Sequence, residues 1–230
     1  MKIHGLQKMT LLDYPGKVAC TVFFGGCDMR CPFCHNAELL DGTAPSVMDD
    51  EELLAFLKKR KGLLDGVAIT GGEPLLQKDL PELAARIREL GYPIKLDTNG
   101  THPDRLERMI RDGLVQYAAM DIKNSPERYA ETIGLKQFDI APVKESAALL
   151  MECRTDYEFR TTTVAEFHDD ESFEKIGPWI RGAKRYFLQR FTDRETVPFE
   201  GLHAPSEEQM RRWAEIIRPY IPGVELRGVD

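Results

Sequence analysis

The sequence Val18-Ala-Cys-Thr-Val-Phe-Phe24-Gly-Gly-Cys27-Asp-Met-Arg-Cys31-Pro-Phe-Cys34 runs from an apolar segment straight into a loop with three cysteines. Residues 18–24 are rich in β-branched and aromatic side chains, which predicts a buried β-strand. The two glycines that follow end it. In parallel α/β folds, functional residues gather just past the C-terminal ends of strands, so this loop is the first candidate site.

The spacing of Cys27, Cys31 and Cys34 is C-x3-C-x2-C. Three thiolates can hold three irons of a cubic [4Fe–4S] cluster and leave the fourth iron open to a substrate. A Cys3His zinc site with His35 is the main alternative, although structural zinc usually takes paired ligands from two separate places. A single catalytic thiol is a third reading, which three similar cysteines do not favour. We expect His35 to make a local hydrogen bond instead.

Outward from this loop, strand-like runs alternate with helix-like runs. The apolar runs predict strands, and apolar residues at helical spacing predict helices. We also predict a loop at 123–141, a short last strand at 224–226, and Ser206 as a helix N-cap. The main predicted strands are 18–24, 66–70, 94–98, 117–122, 157–164 and 185–191, and the predicted helices are 50–61, 79–90, 103–111, 142–151, 171–180 and 206–218.

This alternation predicts the fold class. Strand–helix units in series imply parallel strands joined by crossovers, with the helices outside the sheet. Six units fall short of the eight in a complete (β/α)8 barrel. We therefore expect an α/β fold, a partial (β/α)6 TIM-like barrel that is open on one side, with residues 1–230 forming a single domain.

The composition sets limits on the class of protein. The 230 residues are 42% apolar and 30% charged, with a net charge of −7. These values predict a soluble globular protein, and the acidic balance disfavours nucleic acid or an anionic membrane as partner. The first residues show no signal-peptide core, and no apolar run is long enough to predict a membrane span. The basic run Lys58-Lys59-Arg60-Lys61 is expected to be the solvated end of a helix.

The five cysteines form an odd set, and three of them lie within eight residues. This is typical of a cofactor loop in a reducing cytoplasm and not of a disulfide framework. We expect Cys20 and Cys153 to be small buried apolar side chains.

Gly71-Gly72-Glu73-Pro74 follows the second predicted strand. Glycines there would let the backbone approach a ligand closely, and Glu73 would offer an acceptor to a cationic group. An ordinary strand-to-helix turn would also use Gly and Pro.

Two acidic motifs end the next two strands, Asp97-Thr98-Asn99-Gly100 and Met120-Asp121-Ile122-Lys123. Adjacent parallel strands would place Asp97 and Asp121 side by side, where each raises the pKa of the other unless a cation intervenes. A bound monovalent cation or Lys123 would resolve this conflict. The alternative is that both aspartates cap the helices that follow.

Arg160 lies within the predicted strand 157–164. A buried guanidinium without a partner is very costly, so we expect either an acid nearby or the carboxylate of a ligand.

Together these motifs resemble the radical S-adenosylmethionine (SAM) superfamily. The resemblance implies that Cys27, Cys31 and Cys34 hold a [4Fe–4S] cluster and that Phe33 shields one face of it. It also implies that the segment Gly71-Gly72-Glu73 recognises the amino group of SAM. Asp97 with Asn99, Asp121, Lys123 and Arg160 would complete the SAM site. The acidic motifs are similar to those of glycyl-radical-enzyme activases, in which the carboxylates and the carbonyls at the Thr98 and Met120 positions hold a monovalent cation against the SAM carboxylate.

One branch of these activases carries a histidine on the sixth strand, where this chain has Leu188-Gln189-Arg190-Phe191. Gln189 is expected to take part of that role. This stretch, residues 5–18 and Cys34-His35-Asn36 resemble instead the longer form of the anaerobic ribonucleoside-triphosphate reductase activating proteins.

The resemblance implies reductive cleavage of SAM at the cluster and hydrogen abstraction from a glycine of a partner enzyme, most directly an anaerobic ribonucleotide reductase. The electron donor would be a low-potential protein such as flavodoxin or ferredoxin. The alternatives are an activase of another glycyl radical enzyme such as pyruvate formate-lyase, a radical SAM enzyme with a small-molecule substrate such as a deazapurine synthase, and a non-catalytic zinc module.

Overall fold

The computed structural model describes residues 1–229, in which ten strands form two sheets. The predicted main strands are present within one or two residues of their expected ends. The strands are β1 (Lys2–Ile3), β2 (Gly5–Thr10), β3 (Ala19–Phe24), β4 (Met48–Asp49), β5 (Gly66–Gly71), β6 (Ile94–Thr98), β7 (Tyr117–Asp121), β8 (Asp156–Thr163), β9 (Tyr186–Arg190) and β10 (Val224–Arg227).

The large sheet has eight strands in the order β10-β9-β8-β7-β6-β5-β3-β2. All neighbours pair in parallel except β2, which is antiparallel to β3 at one edge. The short strands β1 and β4 pair with each other. The antiparallel edge strand β2 was not predicted. The fold class is otherwise the predicted one, a mostly parallel α/β sheet.

Helices connect the parallel strands and pack against the sheet. The predicted loop 123–141 is partly wrong, because it contains a 3-10 turn (Pro126–Arg128) and the short helix α4. The helices are α1 (Asp50–Lys59), α2 (Leu80–Glu89), α3 (Pro103–Arg111), α4 (Tyr129–Thr132), α5 (Ala141–Glu152), α6 (Asp170–Trp179) and α7 (Glu207–Ile217), with further 3-10 turns at Ala37–Leu39 and Pro74–Leu76.

Local capping explains where several helices begin. The Ser206 hydroxyl accepts a hydrogen bond from the backbone N–H of Gln209, and the Gln209 side-chain oxygen accepts one from the backbone N–H of Ser206, so the predicted N-cap is confirmed. Asp49 with Glu52 and Asp169 with Ser172 form the same reciprocal arrangement. Each cap pairs backbone N–H groups that a helix start would otherwise leave unsatisfied.

The two faces of the sheet differ in polarity. On β6, Ile94 and Leu96 face the helices and are fully buried, whereas Lys95 and Asp97 face the inner side, which we call the lumen. In the large sheet, β2, β3 and β5 to β9 all contribute residues to one lumen cavity. Since β2 and β9 are separated by five intervening strands, the sheet must curve, as expected for a partial barrel.

Three smaller predictions have clear outcomes. Cys20 is fully buried on β3, as predicted, whereas Cys153 is only half-buried at the end of α5. Lys58 and Lys59 form the exposed last turn of α1, as expected. Across residues 1–229, no helix has the length and apolar character that crossing a bilayer requires.

Candidate active site

The cysteine loop leaves the end of β3 and is held by backbone hydrogen bonds to distant segments. The N–H groups of Gly26 and Cys27 donate to the carbonyls of Leu39 and Leu40, at 2.7 and 3.0 Å, and Arg30 N–H donates to Ile133 O at 2.9 Å. The loop is therefore fixed from two sides before any cofactor is considered.

The glycine pair at the end of β5 packs directly against this loop. Gly71 has a φ of +127°, and a Cβ there would overlap the Phe24 backbone, while a Cβ at Gly72 would overlap the carbonyl oxygen of Gly26. Gly72 N–H donates to Phe24 O at 2.9 Å. These glycines are thus required by backbone-to-backbone contact, and the same backbone also lines the cavity.

Glu73 makes its hydrogen bonds within the chain. Its carboxylate is fully buried and accepts hydrogen bonds from Leu75 N (3.0 Å), Thr98 Oγ1 (3.0 Å) and Asn99 N (2.7 Å). Burial raises the pKa of Glu73 to about 7, although these three donors oppose the shift. Glu73 does not line the cavity and its three hydrogen-bond donors all come from the chain, so its contact with a cationic group of a ligand stays a prediction. Its side chain joins the end of β5 to the end of β6.

The cavity beside the cysteine loop has a volume of about 450 Å³, within the range of small-molecule and cofactor sites. Every residue predicted for the site lines it except Glu73 and Met120. The lining residues among those predicted are Cys27, Cys31, Phe33, Cys34, Gly71, Gly72, Asp97, Thr98, Asn99, Asp121, Lys123, Arg160 and Gln189.

Five charged side chains form one ion-pair network, hereafter the five-charge network: Lys95, Asp97, Asp121, Lys123 and Arg160. Four of them lie on the lumen face of β6, β7 and β8, and the fifth, Lys123, follows β7. The Lys95 ammonium donates to Asp97 Oδ1, and Arg160 Nη1 lies 3.5 Å from Asp97 Oδ2. Arg160 Nε donates to Asp121 Oδ1 at 3.1 Å, and Lys123 Nζ donates to Asp121 Oδ2 at 2.8 Å. Arg160 therefore bridges the two aspartates, which are neighbours as predicted.

These contacts keep both carboxyl groups ionised. Burial alone would raise the pKa of Asp121, but Lys123 and Arg160 lower it to about 2. For Asp97, burial is likewise outweighed by Arg160 and Lys95, and the pKa falls below its ordinary value. Two carboxylates face three cations, so the network carries one surplus positive charge beside the cavity.

The three cysteines border the same cavity as this charge. Burial raises the pKa of Cys27 to about 12 and that of Cys31 to about 11, and it also raises the pKa of Cys34. These thiols therefore stay protonated until a metal displaces the proton. Met29 N–H donates to Cys27 Sγ at 3.4 Å, and the Asn99 side-chain amide lies 3.8 Å from the same sulfur. Such donors suit a metal-bound thiolate.

Within residues 1–229, no three Cys, His, Asp or Glu side chains converge as ligands of a single metal ion would. In a cubic cluster each cysteine binds a different iron, so the sulfur atoms need not point at one centre.

The sequence reasoning missed two side chains near the site. Asp28, next to the first cysteine, accepts a hydrogen bond from Asn99 Nδ2 at 2.7 Å and lies 3.3 Å from His102 Nε2. Lys95 is a single charged residue within an apolar run. The only indication in the sequence that it belongs to the site was that a buried lysine needs an acidic partner.

Phe33 and His35 connect the cysteine loop to the far side of the sheet. Phe33 is buried and packs on Phe167 with ring centroids 5.7 Å apart. His35 stacks on Phe191, and its Nε2 lies 2.7 Å from Thr192 O. The expected local hydrogen bond of His35 is thus wrong, because its partner lies 157 positions away and links the loop after β3 to the segment after β9.

The mostly parallel partial barrel, with three cysteines in the loop after its first parallel strand, defines a class of protein. A family model described as the Radical SAM superfamily matches residues 21–177, and the chain belongs to that superfamily. The predicted cofactors, a [4Fe–4S] cluster and SAM, are confirmed by this membership.

Among its relatives, the chain is 31% identical to a Methanocaldococcus jannaschii protein named "Putative glycyl-radical enzyme activating enzyme", over 99% of this chain and 96% of that protein. It is 33% identical to the pyruvate formate-lyase-activating enzyme of Clostridium pasteurianum, over 54% of this chain and 52% of that enzyme. It is also 33% identical to the 7-carboxy-7-deazaguanine synthase of Thermococcus kodakarensis, over 48% of this chain and 51% of that enzyme.

The structure of Streptococcus suis SuiB bound to SAM superposes with a TM-score of 0.69, at 15% identity, over 90% of this chain and 52% of that one. At this level of identity the match shows the shared fold alone.

Proposed function

We propose that this chain is a radical SAM activase that abstracts hydrogen from a glycine of a partner enzyme, most directly an anaerobic ribonucleotide reductase. The observation that carries the site assignment is the cavity of about 450 Å³, which is lined both by the three cysteines and by a network with surplus positive charge. The similarity over 99% of the chain to a protein named for glycyl-radical enzyme activation supports the activase class.

In this proposal Cys27, Cys31 and Cys34 would hold the cluster, and with three thiolate ligands one of its irons would stay open to SAM. When bound, the cluster and SAM supply one-electron cleavage of SAM and the means to abstract hydrogen. The five-charge network holds the carboxylate of SAM, because its surplus charge and the Lys123 and Arg160 donors match that group.

The remaining cavity residues position the cofactor and exclude water. Phe33, backed by Phe167, covers one face of the cysteine loop and lowers the local polarity. The Asn99 amide donates toward Cys27 Sγ, which tunes the cluster potential. Gln189 lies at the cavity border on β9, where it can contact SAM. No acid–base residue is required for hydrogen abstraction itself.

The substrate in this proposal is a protein. A glycine-bearing loop of the partner enters the cavity, and a small electron-transfer protein such as flavodoxin or ferredoxin reduces the cluster from outside. Three thiols that must remain reduced favour the cytoplasm as the compartment.

The first test concerns the cluster. Anaerobically purified protein should be brown, and Cys31→Ala should lose that absorbance because one iron ligand is removed. Cys153→Ala is the matched control, since Cys153 lies outside the cavity and should keep the colour. A colourless, zinc-loaded wild-type preparation would contradict the cluster assignment.

The second test concerns the target. Reduced protein is mixed with SAM and an anaerobic ribonucleotide reductase, and a glycyl radical doublet is expected by electron paramagnetic resonance (EPR). A doublet with pyruvate formate-lyase alone would reassign the target.

A small-molecule radical SAM reaction is the second candidate, because the 33% identity to a 7-carboxy-7-deazaguanine synthase covers about half of the chain. It would be favoured if SAM cleavage proceeds but no glycyl radical forms in any candidate partner.

A further inference from the structure

Lys95 is a charged residue in a position that otherwise suits an apolar one. It lies between Ile94 and Leu96 on β6, is only 2% exposed, and faces the lumen. A buried ammonium is very unfavourable unless it is paired, and the partner of Lys95 is Asp97 Oδ1. The remaining members of the five-charge network end strands or border the cavity, so Lys95 is its deepest cation.

This contact changes what the two aspartates can bind. Lys95 and Arg160 occupy the two carboxylate oxygens of Asp97, and Arg160 and Lys123 occupy those of Asp121. All four oxygens therefore already have a cationic partner, three of them through a hydrogen bond and Asp97 Oδ2 through an ion-pair contact. A further metal ion would have to displace one of these donors and would add a second surplus positive charge.

The monovalent cation suggested by the acidic motifs does not fit this donor set. Both aspartates of that cation site already face cations of the chain, and the Thr98 hydroxyl at the same strand end donates to Glu73 and accepts from Gly100 N–H at 3.1 Å, so it adds no free ligand to the two carboxylates. Met120 does not line the cavity. The charge that an inorganic cation would bring is already supplied by the ammonium of the chain.

We propose that Lys95 acts as a built-in monovalent cation, a positioning residue that neutralises Asp97 so that SAM binds without added Na⁺ or K⁺. This inference rests on the proposed assignment of the cavity as the SAM site, and it does not depend on which partner enzyme is activated. Ammonium and potassium ions carry the same charge, so removal of Lys95 should leave a position that a free cation can fill.

The test uses the cluster-loaded protein under anaerobic conditions and follows the change that SAM causes in the EPR spectrum of the reduced cluster. Titrations are made in tetramethylammonium buffer and in potassium buffer at matched ionic strength. The wild-type dissociation constant for SAM should be the same in both. Lys95→Met should bind SAM about 10- to 100-fold more weakly in tetramethylammonium, because one charge near the ligand is lost. Potassium or ammonium ions should restore most of that affinity.

Lys144→Met is the matched control, since Lys144 is exposed on α5 away from the cavity. It should bind SAM like the wild type in both buffers. The wild-type titration alone keeps the inference testable if Lys95→Met does not fold. A wild-type affinity that rises about tenfold or more with potassium would overturn it, as would a Lys95→Met protein with unchanged affinity in tetramethylammonium. A wild-type spectrum that never responds to SAM would instead contradict the proposed SAM site.

Discussion

Two groups of buried charged side chains on the lumen face of β8 and its neighbours differ in charge balance, because one is neutral and the other carries a net positive charge. Glu158 is 1% exposed and is paired by Arg227 through two bonds of 3.0 Å, with a third bond of 2.8 Å from the Tyr117 hydroxyl. One anion here meets one cation. In the five-charge network, two residues further along the same strand, two anions meet three cations.

The difference separates a structural ion pair from a binding site. A bidentate arginine–carboxylate pair satisfies both partners and leaves no charge for a ligand. A network with surplus charge, placed beside a cavity, is incomplete until an anion arrives. Similar residue types on the same strands thus have different roles. The net charge of each group, more than its burial, distinguishes the structural ion pair from the binding site.

The largest expected effect comes from making the same substitution in both networks. Arg227→Met leaves Glu158 buried with only the Tyr117 hydroxyl, so the free energy of unfolding should fall by about 3 kcal/mol. Arg160→Met leaves each aspartate with its own lysine, so the loss of stability should be smaller. SAM affinity should show the reverse order, falling about 100-fold in Arg160→Met and remaining near the wild-type value in Arg227→Met.

Denaturant unfolding and SAM titration of anaerobic, cluster-loaded proteins measure the two quantities, and each variant is the control for the other. If both variants lose SAM affinity equally, the distinction between the two networks is not valid.

Glu73 sharpens the comparison because it is a buried carboxylate with no cation among its hydrogen-bond partners. Its folded-state pKa is raised from 4.5 to about 7, so the folded chain binds more protons than the unfolded chain between these values. Stability should therefore fall as pH rises from about 4.5 to 7, by up to about 3 kcal/mol from this group. Asp121, with a pKa of about 2, should contribute no such slope there.

The measurement is the free energy of unfolding against pH for the wild type and Glu73→Gln. Gln changes stability by a constant offset, so only the slope of the difference is informative. Buried His168, whose pKa burial lowers to about 4, is present in both proteins and cancels. A difference that does not change between pH 5 and 7 would show that Glu73 ionises normally.

The smallest expected effect concerns the contact between the loop after β3 and the segment after β9, which His35 makes across the curved sheet. His35→Ala removes the contact with Thr192 O and the stack on Phe191, and should lower the free energy of unfolding by about 1 kcal/mol. His203→Ala is the control, because its pair with Glu166 is largely exposed and should be worth about 0.5 kcal/mol or less. Thermal unfolding measures the change in stability of both variants. An equal decrease in the two would mean that the His35 contact stabilises the fold no more than an exposed pair does.

The sequence allowed most of the fold to be predicted because buried parallel strands are nearly continuous apolar runs. Residues 94–98 and 117–122 matched β6 and β7 to within one residue. Strand β2 was not predicted, because its residues are mostly half-buried or exposed and its only sheet partner is β3. Helix α4 escaped because four residues are too few to show a helical period.

Within the site, strand order made it possible to predict which residues would be neighbours, but not where each side chain would point. Asp97 and Asp121 lie on adjacent strands, so their proximity followed from the register. The inward turn of Glu73 depends on the conformation of a loop, and the contact of His35 depends on how far the sheet curves. Neither is encoded in a local pattern.

The alternation of charged and apolar residues on β6, β7 and β8 also bears on how the chain folds. A slip of one residue in strand pairing would turn Lys95, Asp97, Asp121 and Arg160 toward the helices, and each buried charge without a partner costs several kcal/mol. Incorrect registers are thus strongly disfavoured during folding. The side chains that we assign to ligand binding therefore also help to select the correct strand register during folding. A variant in which several of them are replaced by neutral residues should be inactive, and some of its chains should pair their strands in the wrong register and aggregate.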